Sequence, residues 1–300
     1  MVRTAATPAA APALNATVAP TIPAVLSNPI VGLLTEVASV VNTLILPNPA
    51  VPPTNPLHLL VFEVVRRIEI DFGLPVVGVV PVSTPDPVIG GRPVSTAPAL
   101  PGSGDMAQTP FGGIGKWLLE PDGQISDFGG QLLNGKTLLE PVNVIILDPT
   151  SSTPEEAAAK LNAKLGQAGF PAQPLHSTGF QSIINGVTFG QQPTGILQAF
   201  ADNFFLLPED HARAFGPAPA QDGAGYVWTV AASREQVGLY GLLLTHTYVS
   251  FDAARDELAN RLVYSGATLV GVVPLENAYT DGTTSTGDHD GYALVVRLND

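Results

Sequence analysis

Residues 141–170 read PVNVIILDPTSSTPEEAAAKLNAKLGQAGF. The unbroken apolar run over Val142–Leu147 predicts a strand buried on both faces. Thr153-Pro154-Glu155-Glu156 then supplies a capping box with proline at the first helical position. Ala157, Ala158, Leu161, Leu165 and Ala168 give the helix one apolar face, and Gly166 or Gly169 ends it. A buried strand passing directly into an amphipathic helix sets the expectation for everything downstream.

Residues 173–194 read as loops and short strands. The aromatic run Ile196–Leu207, with Phe200, Phe204 and Phe205, predicts a buried helix. Alternation over Tyr226–Ser233 and Leu242–Phe251 predicts two strands. Asp252 is expected to cap a helix through Leu262, with Ala254, Leu258 and Leu262 inward and Gly266 as its stop. Ala267–Pro274 and Tyr292–Leu298 read as further strands, separated by a turn-rich loop over Asp281–Gly291. Together these predict an α+β domain over 107–300. Its sheet would be mostly antiparallel with two helices on one face, in a ferredoxin-like split βαβ arrangement.

Upstream, Gly115-Lys-Trp-Leu-Leu-Glu-Pro121 recurs as Gly135-Lys-Thr-Leu-Leu-Glu-Pro141. Turn signals at Pro121-Asp122-Gly123 and Asn134-Gly135 predict a β-meander over 107–140, with strands at 115–120, 124–128, 131–133 and 136–140. Gly130–Thr137 matches the letters of a phosphate-binding loop. That loop must open a helix whose terminal amides hold phosphate. Pro141 follows too soon for one, so a hairpin is expected instead.

The remainder is organised by proline and charge. Of the 29 prolines, 18 precede residue 111. Residues 1–27, rich in Ala and Pro with Arg3 as the one charge, predict a disordered leader. Residues 28–72 predict two amphipathic helices, each opened by an Asn-Pro pair at 28–29 and 55–56. Residues 73–106 predict a Pro/Gly-rich linker. Charged residues are 13% of the chain and net charge is −13. An acidic chain with no basic patch excludes nucleic acid as an expected partner. Cysteine is absent, which removes disulfides, thiolate metal sites and cysteine nucleophiles.

Histidine, arginine and carboxylate are left as the side chains with which to build a site. His211, Arg213 and His246 are the candidate catalytic residues, able to transfer protons or hold an anion if the strands bring them together. Asp252, Arg255, Asp256 and Trp228 are candidate binding residues. No metal or other cofactor is expected. Asp288, His289 and Asp290 are weak metal candidates, with Asp281 able to join Asp290, because the calcium-loop alternation with its distal Glu is missing.

Several pieces resemble the LssY C-terminal-like domain family over about 141–278. They are Pro141–Leu147, Gly169-Phe170, Asp210-His-Ala-Arg213, Tyr226-Val-Trp-Thr-Val-Ala-Ala-Ser-Arg234 and Thr245-His-Thr-Tyr-Val-Ser-Phe-Asp-Ala-Ala-Arg-Asp256. The resemblance implies a domain often found beside membrane segments or phosphatase-type domains, with no established role of its own. The 28–100 region is similar in style to leaders of exported mycobacterial proteins. The combined expectation is an exported or cell-envelope-associated binding or structural protein. The alternative is a hydrolase acting on an envelope phosphoester or glycan through a His/Arg/Asp cluster. An envelope surface contacted through 28–70, or a second copy of the chain, is the expected partner class.

Overall fold

In a computed structural model the described residues are 99–300, apart from 175, 195–197, 204–207 and 241–242, with backbone alone at 238–240 and 243–245. The expected leader over 1–27, the two helices over 28–72 and the linker up to residue 98 lie outside the described residues.

The chain runs β1 (Met106–Thr109), β2 (Gly112–Gly115), β3 (Leu132–Leu133), β4 (Lys136–Leu138), β5 (Val144–Asp148), α1 (Pro154–Gln167), β6 (Ala172–Pro174), β7 (Gln181–Ile184) and β8 (Val187–Gln192). It continues through β9 (Gln198–Ala201), β10 (Glu209–Pro219), β11 (Tyr226–Tyr240), β12 (Leu243–Ser250), α2 (Phe251–Tyr264), β13 (Thr268–Pro274), β14 (Thr284–Ser285) and β15 (Tyr292–Arg297). Twelve of these strands form one sheet, ordered β1-β2-β7-β8-β10-β11-β5-β15-β13 with β12, β6 and β9 attached.

The sheet curls into a nearly closed, barrel-like form. Ile114 of β2 and Ile184 of β7, from one end of the order, pack with Val273 of β13 and Val295 of β15 from the other. Both helices lie on the opposite face. Leu161 and Leu165 of α1 and Leu258 and Leu262 of α2 pack on Val144, Ile146, Ala212, Ala214, Trp228, Val230 and Val296.

The fold is therefore mostly β, and the expected ferredoxin-like α+β domain is corrected. β15 runs parallel to β5 and separates it from β13, where a four-stranded split unit would place those two side by side. The expected helix over Ile196–Leu207 is also corrected. Gln198–Ala201 is strand β9, paired to β6 and β10. A short buried apolar run does not by its periodicity separate a strand from a helix.

Local signals behave as their chemistry dictates. The Thr153 hydroxyl accepts from the Glu156 amide at 3.2 Å and caps α1, with Pro154 at its first position. Ser250, not Asp252, caps α2: its hydroxyl accepts from the Ala253 amide at 2.9 Å. Asn134 and Gly135, both at positive φ (53° and 79°), form the tight turn of the β3–β4 hairpin, so the phosphate-loop letters describe a hairpin. The two repeat arms pair with each other across the Trp117–Pro141 bridge. The Ser126 hydroxyl lies between their glutamates, 2.7 Å from Glu120 and 2.5 Å from Glu140.

Candidate functional site: a buried histidine–glutamate cluster

β10 and β11 are antiparallel neighbours with Glu209 opposite Glu235, His211 opposite Ser233 and Arg213 opposite Ala231. Side chains alternate along a strand, so Glu209, His211, Arg213, Ser233 and Glu235 share one face. β12 joins the other edge of β11 with Tyr248 opposite Glu235, which sets His246 diagonally beside Glu235 on that face. The face is the one turned away from the helices.

Expectation and structure meet here. His211, Arg213 and His246 come from β10 and β12, and Glu235 joins them. The His246 Nδ1 atom lies 3.1 Å from Glu235 Oε2 and 2.9 Å from Glu209 Oε1. His211 Nδ1 lies 3.0 Å from Glu235 Oε1. The Arg213 guanidinium donates to His211 Nε2 at 2.6 Å. The Ser233 hydroxyl lies 3.1 Å from Glu235 Oε1 and donates to it. Arg213 also stacks over the Phe180 ring at 4.4 Å, a cation–π contact.

Three members were not among the expected site residues. His176, just after β6, places Nε2 3.0 Å from Glu209 Oε1 and Nδ1 3.0 Å from the Pro174 carbonyl. Glu209 and Glu235 complete the set. Three of the chain's five histidines thus gather around two glutamates. The alternations Glu209-x-His211-x-Arg213 and Ser233-x-Glu235 were visible signals for one-faced placement; His176 left none.

The cluster is nearly sealed. Glu209 is 0% exposed and the His246 side chain keeps 16%. Glu209 Oε2 is buried with no hydrogen-bond partner. Burial, aided by Arg213, lowers the pKa of His211 against the pull of Glu235. That agrees with the contact to Arg213, because only a neutral imidazole can accept a proton at Nε2. Burial alone would lower His246, but its hydrogen bonds to Glu209 and Glu235 outweigh this and lift it to about 10. Burial would raise Glu235, but the imidazoles of His211 and His246 hold it below the ordinary carboxylate range. Glu209 is lowered in the same way by His176 and His246 against its burial. Next to this group, burial pushes Glu140 up to about 7, only partly offset by Arg213 at 3.9 Å and the Ser126 hydroxyl.

The other expected residues lie elsewhere. Trp228 is fully buried in the core on the helical face, with Gly216 packed so closely that an added Cβ would lie 2.8 Å from the indole. Asp252, Arg255 and Asp256 form a second group at the start of α2. Arg255 is buried, and its guanidinium contacts Asp252, Asp256 and Asp290 at 3.0, 2.9 and 2.6 Å. The weak metal candidates are engaged there. Asp290 binds Arg255. His289 bridges Asp252 and the Asn277 side chain at 3.2 and 2.8 Å. Asp288 accepts from the Tyr248 and Ser250 hydroxyls and the Phe251 amide. The Arg255 guanidinium already occupies the place of a cation between Asp252 and Asp290.

No family model, curated protein or solved structure matches the chain.

Proposed function

We propose that the protein is a binding protein, exported or associated with the cell envelope, whose ligand is a cation seated between Glu209 and Glu235. One observation carries this: two glutamates stand directly opposite each other on neighbouring strands, both buried. Like charges in that position are destabilising, and a buried charge requires a counter-charge. Among the described residues the groups set against them are imidazoles, of which His246 is the one lifted toward its protonated form, rather than a lysine or arginine aimed between them, so the counter-charge is exchangeable.

Calorimetry on the full chain, with zinc, manganese, calcium and spermidine as separate titrants, tests the binding. Saturable uptake of at least one is expected. Uptake of none, by protein that still unfolds cooperatively, overturns the proposal. The location rests on the leader composition, and fractionation of native cells finding the protein wholly in the cytosol would refute it.

His211, Arg213 and His246 do converge, but in a nearly sealed cluster rather than an open cleft, which counts against the hydrolase alternative. Turnover of a nitrophenyl phosphate or glycoside by the wild type, lost in His246→Ala, would establish it. Turnover by neither would dismiss it for these substrate classes.

A further inference from the structure

We infer that the ligand of this cluster is a divalent transition-metal ion of the zinc type, held by Glu209, Glu235 and His246 with His176, His211 and Ser233 as its outer shell. The inference rests on the cation-binding reading and names the cation.

Donor chemistry comes first. The three side chains each offer a donor atom, and these atoms all lie within 4.8 Å of one another. Two carboxylates and one imidazole are too few oxygens for calcium, which takes six to eight, and magnesium demands an octahedron built largely of oxygen and water. A mixed nitrogen–oxygen set of three suits zinc and its neighbours, leaving one position of a tetrahedron for a further ligand. With zinc–donor distances of about 2.0–2.2 Å, donors of a tetrahedral site stand about 3.3–3.6 Å apart. His246 Nδ1 already lies 2.9 Å from one glutamate and 3.1 Å from the other. An opening of a few tenths of an ångström would admit the ion.

Charge and hydrogen bonding then agree. Two buried carboxylates carry two negative charges, which one divalent ion neutralises. Glu209 Oε2 is buried without a partner, an orphaned acceptor on the same carboxylate whose Oε1 meets His246. The outer shell is in place. Ligating carboxylates are themselves hydrogen-bonded in metal sites, and here His176 meets Glu209 Oε1 at 3.0 Å while Ser233 meets Glu235 Oε1 at 3.1 Å. Glu235 keeps Oε2 directed at His246. The cluster at Asp252, His289 and Asp290 has a similar donor set, but Arg255 Nη1 lies 3.0 Å from Asp252 and 2.6 Å from Asp290, so it is not a competing site.

The test uses chelator-stripped full-length protein. Elemental analysis after dialysis against zinc should find one equivalent per chain, and calorimetry should show zinc bound at least 100-fold more tightly than calcium or magnesium. Cobalt should give the visible absorption of a four- or five-coordinate site. Glu235→Gln, Glu209→Gln and His246→Ala should each weaken zinc at least 10-fold, and Asp290→Asn should leave it unchanged. Thermal melts of every variant keep a folding defect from passing as a binding defect. The wild-type cobalt spectrum and stoichiometry stand independently of any variant. Wild-type protein that takes spermidine or calcium but not zinc overturns this inference and leaves the cation-binding reading in place. Uptake of no cation overturns both. Zinc uptake unchanged in folded His246→Ala places the metal elsewhere and also overturns it.

Discussion

Asp210 and Arg234 stand opposite each other on β10 and β11 and are joined by two hydrogen bonds of 2.6 and 2.7 Å. This pair occupies the face of the ribbon opposite the histidine–glutamate cluster, toward α2. Asp202 adds to it by accepting from the Asp210 amide at 2.8 Å and from Arg261 of α2 at 3.1 Å.

Arg234→Ala should therefore be among the most damaging substitutions outside the core. Asp210 is 0% exposed and would be left as a buried charge without its cation. Loss of one partner from a buried pair costs about 3–5 kcal/mol. Urea unfolding should show the midpoint falling with an unchanged slope. A loss below about 1 kcal/mol would mean that water reaches Asp210.

Glu140 predicts a pH dependence. Its carboxyl titrates near 7 in the folded chain, raised by burial from an ordinary 4.5. A raised pKa contributes stability that is fully present below the unfolded value and is lost as pH rises through the folded one. Stability should fall by about 3 kcal/mol between pH 4.5 and 7.5 from this group. Glu140→Gln should remove that slope, because the amide keeps the shape and never ionises. Denaturation of both proteins at pH 4.5, 6 and 8 checks it, and parallel curves would contradict it.

Asp288 should behave with the opposite sign. Burial would raise its pKa, but the hydroxyls of Ser250 and Tyr248 and the Phe251 amide hold it below the ordinary value. Its contribution is present above the unfolded pKa and is lost as pH falls through the folded one. Asp288→Ala should cost about 1–2 kcal/mol at neutral pH and progressively less below pH 4. Thermal melts across that range measure it.

Gly225→Ala tests a backbone contact. The residue sits at φ +78°, and an added Cβ would lie 2.0 Å from the Asp148 carbonyl oxygen. Both the left-handed backbone and the clash penalise alanine. The loss should exceed about 2 kcal/mol. Gly223→Ala, at a similar φ of +75° with open space around it, should cost less, and the difference isolates the clash.

The legible parts were those where local chemistry decides the outcome. Thr153-Pro154 and the run after Val142 specify α1 and β5 because caps and continuous apolar stretches act within a few residues. β10 was not legible. No strand is expected over Glu209–Pro219, yet Glu209, Asp210, His211, Ala212 and Arg213 are all buried in one, since each face of the strand finds its own counter-charges from distant chain. The cap of α2 was displaced by two residues, from Asp252 to Ser250, because both residue types suit that role and β12 decides where the helix begins. His211, Arg213 and His246 were picked by residue type, and they do meet. Glu209 and Glu235 share an alternation with their strand neighbours, but their burial depends on pairing that only the sheet's register reveals, and His176 carries no sequence signal.

The strict alternation along β10 makes one segment serve two purposes, with 209, 211 and 213 on one side and 210, 212 and 214 on the other. A single-residue insertion or deletion between 209 and 214 would exchange them. It would send Asp210 toward the histidines and Glu209 toward Arg234 in one step. A change of length in this strand should therefore be far more damaging than a substitution. Changes of length belong beyond Phe215, where the pairing between Phe215 and Ala218 already shifts and an extra residue is absorbed.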